Sequence, residues 1–268
     1  TVAASNYTST TPGTTFAWTN SDASIGLPAS GTGNTPSFSA VNNSALPVTA
    51  TITVTPSANG CPGTPSSYTI TVNPGPNVVV PANTTVCNGA TIAASNFTST
   101  TPGTTFAWNN SDASIGLGAS GTGNTPSFTS TNTTALPITA TITVTPNANG
   151  CPGSPSTYTI TVNPTPIVTV PANITVCNTA AVAASAYTST TPGATFAWTN
   201  SDPTIGLATS GTGNTPAFTA TNTTALPITA TITVTPTANG CPGTPSTYTI
   251  TVNPTPVVTV PANITVCN

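Results

Sequence analysis

The chain has no lysine, arginine, histidine, glutamate, methionine or glutamine. Asp22, Asp112 and Asp202 are the only charged side chains in 268 residues. Charged residues make up 1% of the whole, where a soluble domain usually carries about 25%. Each absence excludes a class of chemistry. General acid–base catalysis draws on His, Glu, Lys or a tuned Asp. Only isolated Asp, Cys and Tyr remain, so no catalytic residue is assigned and an enzyme is not expected. No His, Cys, Asp and Glu residues cluster with the spacing of a zinc site, and no cofactor is expected. Without a single basic side chain the chain cannot neutralise phosphate, which excludes nucleic acid as a partner. No basic run is present for anionic lipid. No apolar run reaches about 18 residues, so membrane insertion is not expected either.

The chain still has the means to fold. It is 36% hydrophobic with a net charge of −3, unlike the apolar-poor, charge-rich composition of disordered segments. Thr, Ser and Asn stand where Lys and Glu normally supply solubility. Trypsin-like proteases find no site to cut. The chain lacks an initiator Met and a signal peptide, and it starts and stops inside a repeat. It therefore reads as a segment of something longer.

The repeat is the dominant signal. "TVAASNYTSTTPGTTFAW" at residue 1 returns as "TIAASNFTSTTPGTTFAW" at 91 and "AVAASAYTSTTPGATFAW" at 181. The period is 90 residues, and residues 1–90 and 91–180 differ at 18 positions. Helical solenoids repeat at roughly 30–45 residues, whereas a period of about 90 suits one immunoglobulin-like sandwich. The reading is three β-sandwich repeats, at 1–90, 91–180 and 181–268. The domain boundaries alternatively fall near the NPxP turns at 74–76, 164–166 and 254–256.

Within a unit the apolar period is two. In "TATITVTP" Ala140, Ile142 and Val144 share one face, and Thr139, Thr141, Thr143 and Thr145 the other. Tyr158, Ile160 and Val162 alternate likewise in "STYTITVNP". This is a half-buried antiparallel strand pattern, with Thr giving an uncharged wet face. Further strands are expected at 78–80, 84–87, 91–97, 105–109 and 127–131, separated by Gly and Pro turns. The fold class is all-β: a tandem array of three near-identical immunoglobulin-like or PKD-like antiparallel sandwiches, arranged as an extended rod. Trp18, Trp108 and Trp198 are expected core aromatics on the third strand of each unit.

The runs "VCN", "FAW", "SIGL…SGTGN", "ITVTP.ANGC.G" and "YTITVNP.P" resemble the PKD-like and immunoglobulin-like tandem repeats of very large secreted Bacteroidota surface proteins, of the gliding-motility adhesin type. The resemblance covers all three units. It implies export by the type IX system, a place outside the cell on its surface, and a role as stalk or filament. The Asp-Ser/Thr-apolar sites that this family glycosylates are missing: Ala23 follows Asp22 and Pro203 follows Asp202. Asn-x-Ser/Thr sequons do occur, at Asn6, Asn83, Asn96 and Asn173.

Two Cys per unit in an exported β-protein suggest disulfides. The preferred pairs are Cys61–Cys87, Cys151–Cys177 and Cys241–Cys267, each 26 apart. The alternative joins Cys87–Cys151 and Cys177–Cys241, 64 apart. An immunoglobulin-like strand order counts against that alternative. It sets the two loops at opposite ends of the sandwich, roughly 25 Å apart for eight residues, while a bond needs Cα atoms within about 7 Å.

The aspartates follow the Trp strand and read as turn or helix caps. As calcium sites Asp22, Asp112 and Asp202 are weak candidates, because calcium wants six to eight oxygens, usually from several carboxylates. No other metal site is assigned. The function expected is a structural segment of an extracellular stalk or filament shaft, giving inert, protease-resistant length. Its partners are neighbouring repeats of the same long chain and, through lateral self-association, other filaments. The alternative is a multivalent adhesive module that recognises a glycan or surface through "GLPASGTGN" and its repeats.

Overall fold

The computed structural model describes residues 1–266. Its regular structure is almost wholly β, interrupted by three single-turn 3-10 helices. Three separate apolar cores form, drawn from residues 18–72, 78–162 and 168–252. The accessible surface, 14792 Å², exceeds the roughly 10,600 Å² of a compact monomer of this mass. Three cores side by side in the chain, each with its own surface, account for the excess.

The second unit shows the complete pattern. Its Trp strand Thr105–Asn110 pairs antiparallel with the central strand Ile138–Ala148, and the central strand pairs with the closing strand Ser156–Asn163. The short strand Ser120–Thr122 flanks the Trp strand. A leading strand, Thr84–Cys87, adds to the far edge of the closing strand in parallel. The opposite layer is looser: Thr91–Ile92 pairs with Phe128–Thr129, and Val79 bridges Thr98. The strand expected over 91–97 is thus reduced to two residues, because the chain beyond Ile92 takes its hydrogen bonds from side chains and loops.

The alternation read from sequence holds in three dimensions. Ala140, Ile142 and Val144 are fully buried and oppose Ile160, Tyr158 and Ser156 across the ladder. On the wet face the Thr139 and Thr161 hydroxyls hydrogen-bond at 2.9 Å, as do Thr49 with Thr71 and Thr229 with Thr251. Cross-strand Thr pairs of this kind stabilise a sheet by roughly 0.2–1 kcal/mol each without using charge.

Thr84–Cys87 ladders with Ile160–Asn163, and Ile174–Cys177 with Ile250–Asn253. The buried members of the second and third cores span residues 78–162 and 168–252.

Trp18, Trp108 and Trp198 are buried in the three cores, each opposite a Val of the central strand. Their buried indole N–H groups have no hydrogen-bond partner within the protein. Each ring lies over the first glycine of "SGTGN", where a Cβ on Gly31, Gly121 or Gly211 would collide with it. An amide, buried in the second and third units and half-buried in the first, pins the other end of each core. Asn132 Nδ2 donates to Leu136 O at 2.9 Å and Val162 O at 2.7 Å, while its Oδ1 accepts from Thr134 N at 2.9 Å. Asn42 and Asn222 repeat this arrangement.

Gly121→Ala is expected to destabilise the second unit by roughly 1–3 kcal/mol, the usual cost of overpacking a filled core. Urea unfolding followed by Trp fluorescence checks it; an unchanged midpoint would mean the ring does not need that space.

Candidate functional site

Of the places where sequence put chemistry, the junction between units has the most built geometry. Cys87 is bonded to Cys241, with Cα atoms 5.6 Å apart. This corrects both proposed connectivities. Cys87 joins neither Cys61 nor Cys151, and Cys241 is not bonded to Cys177. Cys61, Cys151 and Cys177 are free, Cys151 being half-buried and the others exposed. Cys267 lies outside the described residues, and Cys241, its proposed partner, is already occupied.

The reason is directional. Cys87 ends the leading strand opposite Asn163, the last residue of the closing strand. Cys151 sits in the hairpin before that closing strand begins, at the other end of the sandwich. A bond within one unit would have to span a strand length, roughly 25 Å for eight residues. The hairpin cysteine of the following unit, Cys241, faces Cys87 directly. The spacing of 154 residues is the within-unit 64 plus one period of 90.

Side chains that carried no sequence signal complete the junction. Asn163 Nδ2 donates to Asn239 O at 3.1 Å between the second and third units. Its counterpart Asn73 Nδ2 donates to Asn149 O at 3.4 Å between the first and second. Gly153 and Gly243 pack so close to the carbonyls of Pro76 and Pro166 that neither has room for a Cβ. Both junctions are therefore built alike. Only the exact 90-residue recurrence of "VNP" and "NGCPG" could have pointed to them. A cleft of about 610 Å³ opens beside the second junction, lined by Asn88, Asn132, Thr134, Thr165, Thr191 and Thr244 among others, with no aromatic ring or charge.

The aspartates fall one to each unit, 90 residues apart. Each is the N-cap of a 3-10 turn, at Ala23–Ile25, Ala113–Ile115 and Pro203–Ile205. Asp22 Oδ1 accepts from Ser24 N at 2.9 Å, Asp112 Oδ1 from Ser114 N at 2.9 Å, and Asp202 Oδ1 from Thr204 N at 3.0 Å. Hydrogen bonds from the hydroxyl and then the backbone N–H of Ser24 and Ser114 hold the Asp22 and Asp112 carboxyls below the usual carboxylate range. Among the described residues no three His, Cys, Asp or Glu gather in one place.

The "SGTGN" loops have internal duties. The first glycine clears the Trp ring, and the second turns the chain at a φ of 71–74°. Asn34, Asn124 and Asn214 Oδ1 accept from the backbone N–H of Tyr7, Phe97 and Tyr187 at 2.8–3.0 Å. Thr35, Thr125 and Thr215 are buried.

A model of the PKD-like domain matches residues 3–76, 84–166 and 174–256. No curated protein matches. Among solved structures, the crystal structure of DIP-gamma IG1+IG2 aligns at TM-score 0.42 and 12% identity, over 67% of this chain and 98% of its own. Drosophila N-cadherin EC1-4 aligns at 0.40 and 12%, over 90% of this chain and 66% of its own. Mouse cadherin-23 EC22-24 aligns at 0.39 and 12%, over 90% and 86%. Likeness this distant carries no functional meaning.

Two measurements test the site. Peptide mapping without reductant, using a protease that cuts after aromatic residues, should recover Cys87 linked to Cys241; a Cys87–Cys151 peptide would overturn the arrangement. The second is stability against pH. Burial, then the hydrogen bond with Tyr248, pushes the Tyr187 phenol up, and burial does the same to Tyr158. A phenol raised on folding contributes stability below the ordinary value of about 10 and loses it as pH rises further. The capping carboxylates, lowered on folding, contribute above about 4 and lose it as pH falls. The thermal midpoint should be flat from about pH 5 to 8 and decline on both sides; a slope inside that window would contradict it.

Proposed function

Because the chain belongs to the PKD-like domain family, we propose that it is a structural segment of an extracellular shaft, holding a bacterial surface adhesin at a distance from the cell. The observation that carries this reading is the junction, built the same way twice and locked once by Cys87–Cys241. In the chain-entropy account, a bond across 154 residues stabilises by roughly 5 kcal/mol. Here its mechanical consequence matters more, since pulling the second and third units apart loads a covalent bond. We take the units to meet at the NPxP turns, 74–76 and 164–166.

The composition supports the same role. A surface without Lys or Arg offers nothing to trypsin-like proteases and changes little with salt. Disulfides persist in oxidising surroundings, which suits a place outside the cell. The resemblance to Bacteroidota adhesins adds type IX export and the cell surface to this proposal, and lateral bundling of shafts is part of it. No residue is assigned a catalytic role. The glycan-binding alternative rested on unvarying "SGTGN" loops, and their glycines and Asn, with the buried Thr that follows each loop, have structural uses. The junction cleft likewise lacks an aromatic ring on which a sugar could stack.

Small-angle X-ray scattering on the oxidised chain tests the shaft. A compact globule of this length has a radius of gyration of roughly 18 Å. Three sandwiches in line, each about 40 Å long, give roughly 35 Å. A value near 35 Å that does not move with salt is expected; one near 18 Å would sink the proposal.

A further inference from the structure

In repeats this alike, the few substitutions stand out. Thr84, Ile92 and Phe97 of the second unit are Ile174, Val182 and Tyr187 in the third. Two of them line a cavity of about 510 Å³ in the second unit. Val80 and Val86 line it from the leading segment, Ile92 and Ser95 from the facing layer, and Tyr158 and Ile160 from the closing strand. Thr84 also lines it and is exposed. Its counterpart Ile174 packs down onto the third core. The matching residues Val182 and Ser185 are buried there, whereas Ile92 and Ser95 are only half-buried. The longer, apolar Ile174 thus covers in the third unit what Thr84 leaves accessible in the second.

The closing-strand tyrosines differ in chemistry as well. A phenol has three hydrogen-bonding places, one donor and two lone pairs. Tyr248 of the third unit fills them: its hydroxyl donates to Ser185 Oγ at 3.2 Å and bonds with Tyr187 Oη at 3.2 Å and Thr215 Oγ1 at 3.4 Å. The second unit keeps Ser95 and Thr125, but Phe97 has no hydroxyl to offer. Tyr158 is only 5% exposed and lines the cavity, so one of its places is left for something other than protein. A buried polar group without its partner is costly, and a ligand that supplies the partner gains by it.

We infer that this cavity of the second unit binds a small neutral molecule, its apolar body against Val80, Val86 and Ile160 and one carbonyl or hydroxyl oxygen taking a hydrogen bond from Tyr158. The Ser95 and Thr125 hydroxyls can turn to donate to the phenol oxygen while it donates to the ligand. The volume is that of an ordinary small-ligand pocket. None of the lining side chains carries a charge that would receive an ion. Burial raises the Tyr158 phenol above its ordinary value, so it stays a protonated donor through neutral pH. Every residue involved lies within the span of the second core, so the site is independent of the shaft reading.

The test is a titration of the full chain with prodan, a neutral naphthyl ketone dye whose emission moves to the blue out of water. Saturable binding with a blue shift is expected. Thr84→Ile copies the residue with which the third unit folds, and it should remove one binding site per chain. Phe97→Tyr, copied likewise, fills the free place on Tyr158 and should weaken that site about fivefold, the usual worth of one neutral hydrogen bond. The reverse pair, I174T with Y187F, should add one site per chain. A sulfonated naphthalene dye of similar size should leave the site empty. No saturable binding, a site count unmoved by T84I or by I174T/Y187F, an affinity indifferent to F97Y, or equal binding of the sulfonated dye would each overturn the proposal.

Discussion

Parallel pairing of a leading strand with the closing strand is the contact on which the rest of this molecule depends. The four-residue ladder at Thr84–Cys87 completes the second unit's sheet and covers Tyr158 and Ile160. Because the pairing is parallel, the leading strand ends where the closing strand ends, at the face turned toward the next unit. Cys87 is delivered to that face, and the hairpin cysteine of the same unit to the other. One direction of travel thus decides that the disulfide ties units together and does not staple a single core.

The junction extends that logic. After the closing strand the chain has only a short NPxP turn before the next leading segment starts. The short turn leaves the Asn163 amide within reach of the Asn239 carbonyl and Pro166 against Gly243. Polar but uncharged contacts suffice here because the covalent bond and the tight turn limit the freedom of the units. Contacts of this kind include no ion pairs to be screened by salt.

The lack of charge has a structural counterpart. Positions that an ordinary sandwich fills with Lys and Glu hold Thr, and across the ladder these Thr hydroxyls bond to one another. The buried polar demand is met by amides: Asn110 serves the carbonyl of Leu117, and Asn132 those of Leu136 and Val162. The three carboxylates complete this economy as caps on single helical turns.

The sequence by itself determined the all-β class, the 90-residue repeat, the buried faces of the central and closing strands, the core Trp and the capping role of Asp. These follow from period-two alternation and from turn chemistry, which act over a few residues and can be read locally. It also gave the geometric objection to Cys87–Cys151, which the structure upholds. The tertiary structure decided the partner of Cys87, the use of Asn163 and Asn132, and the register of the leading strand. Those depend on which ends of which units face one another. In a chain of near-identical repeats, every candidate partner looks the same until the strands have a direction in space.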